Sequence, residues 1–117
     1  MGYEVYITRA KEFWQASESP IQEDEWLSFA ASQPTLRRSA EDHYSRRNNR
    51  GDIETFYPWL ILEHERSQRL WYVDGALNMN EPDHAAMIRM HEIATALCAR
   101  LIDEDSREYG SDGYLLP

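Results

Sequence analysis

Hydrophobic and polar positions alternate at the start of the chain, where Glu4, Tyr6 and Thr8 interleave with Tyr3, Val5 and Ile7. A period of two sets one row of side chains against a core, so this segment predicts a β-strand with Tyr6 on its other side. A polar stretch follows, and then Trp26, Leu27, Phe29, Ala30 and Ala31 form the apolar side of a first helix, which Pro34 ends by about Ser32. Two start signals compete for that helix. Ser19 with Pro20 and Gln22 fits a capping box with proline in the first turn; Gln22 with Glu25 fits another, in which Ile21 staples onto Trp26.

Residues 33–52 carry few large apolar side chains, chiefly Leu36 and Tyr44, and read as a long loop in which Ser39-Ala40-Glu41-Asp42 nucleates a short helix. Residues 55–62 are rich in aromatic and β-branched types and predict a strand whose first part Pro58 pushes to an edge or a bulge. Residues 69–73 and 76–79 flank Asp74-Gly75, the strongest hairpin signal in the chain. A second helix is expected from Asn80 as cap, with Pro82 in its first turn and Asp83 at the third position. Its apolar arc takes in Met87, Met90, Ile93, Leu97, Cys98 and Leu101, with Arg89, Glu92 and Arg100 opposite, over roughly 18 residues. Leu101-Ile102 and Tyr109 predict a last strand or short hairpin through residues 103–106. This order of elements predicts an α+β fold, a mainly antiparallel sheet with two helices packed on one face, forming a two-layer sandwich and a single domain over residues 1–117.

Composition supports a folded chain. Four Trp, seven Tyr and three Phe among 117 residues supply more burial than a disordered sequence has, despite a mean hydropathy of −0.72. No apolar run reaches the roughly 18 residues of a membrane span. The first residues lack the charged and apolar regions of a secretory signal, and Tyr6 stands where a myristoylation motif requires Ser or Thr. Cys98 is the single cysteine and suits a reducing compartment, so a cytoplasmic protein is expected.

The net charge of −9 is unevenly spread. Residues 1–35, 51–82 and 83–117 each contribute −4, whereas residues 36–50 contribute +3 through Arg37, Arg38, Arg46, Arg47 and Arg50. A broad negative field repels phosphate backbones and speaks against direct DNA binding. It favours encounter with a basic protein partner. The arginine-rich stretch has two readings: a solvated loop paired with neighbouring acids, or a local anion or RNA site with Tyr44 available to stack.

Motifs of catalysis fail at definite positions. His91-Glu92-Ile93-Ala94-Thr95 starts like a zinc-protease helix but has Thr95 where the second histidine must stand. His84 and His91 are seven residues apart, about 10 Å along a helix, too far to share a metal. Cys98 falls in the apolar arc two turns from His91 and reads as a small core residue. Residues 103–114 lack the glycine and the terminal glutamate of a calcium loop, having Glu108 and Tyr114 there. Glu63-His64-Glu65 does not converge on one point from a strand end. No cofactor and no metal is expected. The remaining clue is aromatic: the strand alternation that turns Tyr6 away from the helices leaves Tyr57, Trp59 or Trp71 on that same face, a candidate surface for a protein partner or a homodimer.

Tyr3-Glu4-Val5-Tyr6-Ile7-Thr8-Arg9-Ala10, the later Ile21 to Glu25-Trp26-Leu27, Asp74-Gly75, and Asn80 to Asp83 leading into Ile93-Ala94 resemble a family of short bacterial α+β proteins. The chain departs from that pattern at Asn80-Glu81-Pro82-Asp83, which is one residue longer, and in the arginine-rich 36–50 stretch. In size and acidity it is similar to immunity proteins that neutralise toxins. That resemblance implies a non-enzymatic protein-binding domain with a cationic toxin as partner. The alternative is a small enzyme or ligand-binding domain that holds an anionic substrate with residues 36–50, using His43 as acid or base.

Overall fold

The computed structural model describes residues 3–39, 42–63 and 66–117. Its elements, in chain order, are β1 (Glu4–Thr8), a 3₁₀ helix (Phe13–Glu18), α1 (Glu23–Ala31), β2 (Leu36–Arg38), β3 (Tyr44–Arg47), β4 (Ile53–Phe56), β5 (Trp59–Glu63), β6 (Arg66–Val73), β7 (Ala76–Asn80), α2 (His84–Ala96) and β8 (Arg100–Asp103). Six strands form one sheet in the order β2-β5-β6-β7-β1-β8, and β3 and β4 form a separate hairpin. Every neighbouring pair is antiparallel. The fold is therefore α+β, as the pattern predicts.

Register sorts the side chains. Val5 and Ile7 stand opposite Met79 and Leu77, Ile7 is also opposite Leu101, and Leu36 stands opposite Ile61. Residues directly opposite in an antiparallel pair share a face. That face joins Trp26 and Ala30 of α1 and Met87, Met90 and Ile93 of α2 in one buried cluster. Both helices pack on it, and burial of large apolar side chains, worth roughly 1.5–3 kcal/mol each, supplies most of the cohesion.

The second of the two start signals sets the entry into α1. Gln22 is the N-cap, the Glu25 carboxylate accepts the Gln22 backbone N–H at 3.2 Å, and Ile21 and Trp26 are both fully buried. Asp74 and Gly75 have φ of 54° and 86°, the pair of left-handed residues of a type I′ hairpin turn. The turn also anchors α1, because the Gly75 carbonyl accepts the Ile21 N–H at 2.8 Å.

The chain departs from the sequence pattern in several places. Residues 33–52 are not a long loop: they hold β2 and β3, with Ser39 Oγ accepting the Asp42 N–H where a helix is expected; Ala40 and Glu41 lie outside the described residues. Pro58 divides the predicted strand into β4 and β5, which belong to different sheets. Asp83, not Asn80, caps α2, its Oδ1 accepting the Ala86 N–H at 2.8 Å while Asn80 stays in β7 opposite Glu4. Finally α2 stops at Ala96, shorter than the apolar arc suggests.

The cause of that early stop is a left-handed residue. Cys98 has φ 55°, its N–H bonds to Thr95 and the Ala99 N–H to Ala94, which is a Schellman reversal that turns the chain into β8. Cys98 is consequently exposed and not in the core. Arg89, expected on the solvent side of α2, is buried beneath the α1–β2 link, donating to Gln33 Oε1 at 2.9 Å and Thr35 Oγ1 at 3.0 Å. No described helix is long and apolar enough to cross a membrane.

Candidate binding cleft on the second sheet face

The face turned away from the helices carries Tyr6, Asn78 and Trp71, since Tyr6 stands opposite Asn78 and Asn78 opposite Trp71. The β3–β4 hairpin lies over part of it through alternate residues. Asp42 Oδ2 accepts from Arg69 Nε at 2.8 Å, the Tyr44 ring meets Trp71 edge-on at 5.2 Å, and Arg46 grips Asp74 through two bonds of 2.7 and 3.0 Å. Residues 42, 44 and 46 thus follow the period of two of a strand, with an ion pair at each end and an aromatic contact between them. Phe56 stacks on Tyr44 at 5.0 Å from the other strand of the hairpin. The aromatic contacts are worth about 0.5–1.5 kcal/mol each and the exposed ion pairs about 1 kcal/mol or less.

On the opposite side of the face the 3₁₀ helix supplies a second wall. Phe13 stacks on Tyr6 with centroids 4.8 Å apart and planes 14° from parallel, and Trp14 meets Phe13 at 5.2 Å and 83°. Between this aromatic wall and the hairpin runs a cleft of about 680 Å³, floored by Val73, Ala76 and Asn78. A smaller depression of about 370 Å³ shares Val73 and Asn78 with it and extends the groove past Trp71 to Glu4.

The electrostatics of the cleft are set by its ion pairs. The hydrogen bond from Arg46 holds the Asp74 carboxyl below its ordinary range, and the same bond raises Arg46. Glu54 Oε2 lies 3.6 Å from Arg46, so one guanidinium serves two carboxylates and the trio keeps one negative charge. Arg47 is turned into its own hairpin, where it donates to the Gly51 carbonyl. Burial first, and then the hydrogen bond to Glu4 at 2.9 Å, push the Tyr6 phenol well above its ordinary 10; burial likewise raises Tyr44. All four shifts reinforce the protonation state each group has at neutral pH, charged for Asp74 and Arg46 and neutral for the two phenols. A general acid or base works best when moved toward neutrality, and these groups are moved away from it.

The residues singled out from the sequence divide among five places. Tyr44, Arg46, Arg47 and Trp71 meet at the cleft or the adjoining depression. Arg38 and Tyr57 form an exposed cluster apart from it, the guanidinium 5.4 Å from the Tyr57 ring centre and His43 6.0 Å from the same ring. Arg37 lies at the β2 edge of the sheet and Arg50 in the hairpin turn, both exposed. Trp59 is a correction to the expected aromatic face: it stands opposite Leu70 on the helix side and packs against Trp26 at 5.9 Å, because the break at Pro58 resets the alternation. Tyr57 sits in the two-residue link between β4 and β5, not on a sheet face.

Several cleft residues are invisible to periodicity. Phe13 and Trp14 lie in a six-residue 3₁₀ helix, too short to show a repeat; the only signal is a pair of adjacent aromatics in polar surroundings. Glu54 and Asn78 are ordinary polar positions until register places them. Among the described residues no group of three or more His, Cys, Asp or Glu side chains is placed to hold a metal ion; His64 and Glu65 of the Glu63-His64-Glu65 run lie outside the described residues. Comparison of the chain with protein-family models, with curated proteins and with solved structures finds no match, so the reading of the cleft rests on its own residues.

Proposed function

We propose that the protein is a non-enzymatic protein-binding domain of the immunity type, whose contact surface is the second sheet face with its two walls. The observation that carries this reading is Trp14, which is 64% exposed at the mouth of the cleft on a platform of Phe13 and Tyr6. A large exposed aromatic beside a cleft offers a ready anchor, and Trp, Tyr and Arg are the residue types that dominate interface energetics. Ile53, 66% exposed on the outer side of the hairpin, is a second exposed apolar side chain, away from the cleft. The −9 charge steers a basic partner toward such a surface.

The test is binding of the purified chain to the product of the adjacent gene. A complex is expected, and Trp14→Ala weakens it about 30-fold, the effect of a hot spot of ~2 kcal/mol. Absence of a complex, or one indifferent to Trp14→Ala, sinks the reading. A second reading, an anion held by the arginines of residues 36–50, draws on Arg37, Arg38 and Arg50, which are exposed. A rise in melting temperature with phosphorylated metabolites is its mark, by mass action. Light scattering of the isolated chain separates both from a homodimer that uses the same face.

A further inference from the structure

The cleft has a chemical preference of its own. Its aromatic wall sets Phe13 and Trp14 at 83° to each other, a corner whose ring faces carry partial negative charge. Across from it stands Glu54, whose side chain is 37% exposed and whose contact with Arg46 is the loosest of that guanidinium's three, at 3.6 Å against 2.7 and 3.0 Å to Asp74. Both Asp74 oxygens already accept from Arg46, whereas Glu54 lies beside Arg46 at 3.6 Å without a hydrogen bond, so Glu54 is the cleft carboxylate less committed to that guanidinium. The floor contributes the Asn78 carboxamide, and Glu4 lies further along the groove. Arg46 and Arg47 also line the cleft but are engaged with Asp74 and the Gly51 carbonyl, which leaves the aromatic corner, the Glu54 carboxylate and the carboxamide to meet a flat, multiply donating cation.

Resting on the protein-binding reading above, we infer that the cleft receives an arginine side chain of the partner, its guanidinium stacked against the Trp14–Phe13 corner and bonded to Glu54. Arginine fits better than lysine because its plane stacks on a ring while its edge donates two parallel bonds to a carboxylate. The net charge of the molecule favours the cation at longer range.

The probe is the peptide acetyl-Gly-Arg-Gly-amide, titrated into the labelled full chain and followed through the indole N–H signal of Trp14, which Trp14→Phe identifies. A saturable shift at concentrations on the order of 10 mM or below is expected, weak because a single side chain engages. The isosteric citrulline peptide, which keeps the shape and loses the charge, binds at least about fivefold more weakly, and Glu54→Gln reduces arginine binding to the citrulline level. Equal shifts from the two peptides, an unaltered response in Glu54→Gln, or a Trp14 signal moved by inorganic phosphate and not by the arginine peptide overturns the inference. The thermal melt of Glu54→Gln verifies its fold, and Trp14→Ala, changed at an exposed position, provides a second variant in which the peptide response must vanish from Asn78. The two levels separate cleanly: an adjacent-gene partner lost by Trp14→Ala with a silent arginine probe overturns the arginine alone, whereas a partner indifferent to Trp14→Ala overturns the protein-binding reading itself.

Discussion

Asp103 illustrates how a single buried charge holds a segment in place. It is 3% exposed at the end of β8, opposite Val5, and its two oxygens accept from the Asp105 and Arg107 N–H groups, Arg107 Nε and the Tyr109 hydroxyl, all within 3.0 Å. Burial alone would raise its pKa; the four donors outweigh burial and leave it lowered. The exposed Glu25 is held down to about 2, first by the hydrogen bond from Arg9 and then by the Gln22 N–H. Both carboxyls bind protons more tightly in the unfolded chain, so their stabilisation is complete above the unfolded pKa near 4 and is lost as the pH falls through the folded values. Resistance to urea unfolding is therefore expected to fall progressively from about pH 4.5 down to about 2, and Glu25→Gln should flatten part of that acid limb. Asp103→Ala orphans four donors at once and is expected to cost about 2–4 kcal/mol at pH 7 by the same measurement.

The caps and turns of single elements were only partly legible in the chain, for a local reason. Asn80 and Asp83 are both good caps, and the choice between them depends on where β7 ends. Pairing of Asn80 with Glu4 keeps it extended, Glu81 takes φ 47° to bend the chain, and Gln68 Oε1 accepts the Asp83 N–H at 3.1 Å. Asp83→Ala is expected to lower stability by about 1 kcal/mol, the usual worth of a cap, whereas Asn80→Ala should change the melting midpoint little. Equal effects of the two would show that the helix starts at Asn80 after all. The other end of α2 was hidden because its reversal uses Cys98 in a conformation normally given to glycine, so composition carried no stop signal.

At the scale of the molecule, the β3–β4 hairpin is joined to the sheet by its short links and by the alternate contacts of Asp42, Tyr44 and Arg46, apart from the helix-side core. Its stability is consequently separable from that of the sheet. Tyr44→Ala is expected to speed amide hydrogen exchange over residues 44–56 at least about tenfold, the loss of ~1.5 kcal/mol of aromatic contact, while exchange in β1 and β7 stays unchanged. Uniform acceleration across both sheets would contradict that division. The sequence by itself determined the α+β class, β1, the Asp74-Gly75 hairpin and the core positions Trp26, Ala30, Met87, Met90 and Ile93 of the helices, because periodicity and turn chemistry are set by neighbours a few residues apart. It also determined that the body is acidic and that residues 36–50 are not. Only the tertiary structure decided what those residues do: Arg46 is paired with Asp74, 28 positions away, and Trp14 meets the sheet through Phe13 and Tyr6. Trp59 and Trp71, similar in sequence surroundings, end on opposite faces because one strand starts afresh after Pro58. A cleft is made of such distant pairings, and its chemistry appears when register and the docking of the hairpin bring an aromatic corner opposite a carboxylate.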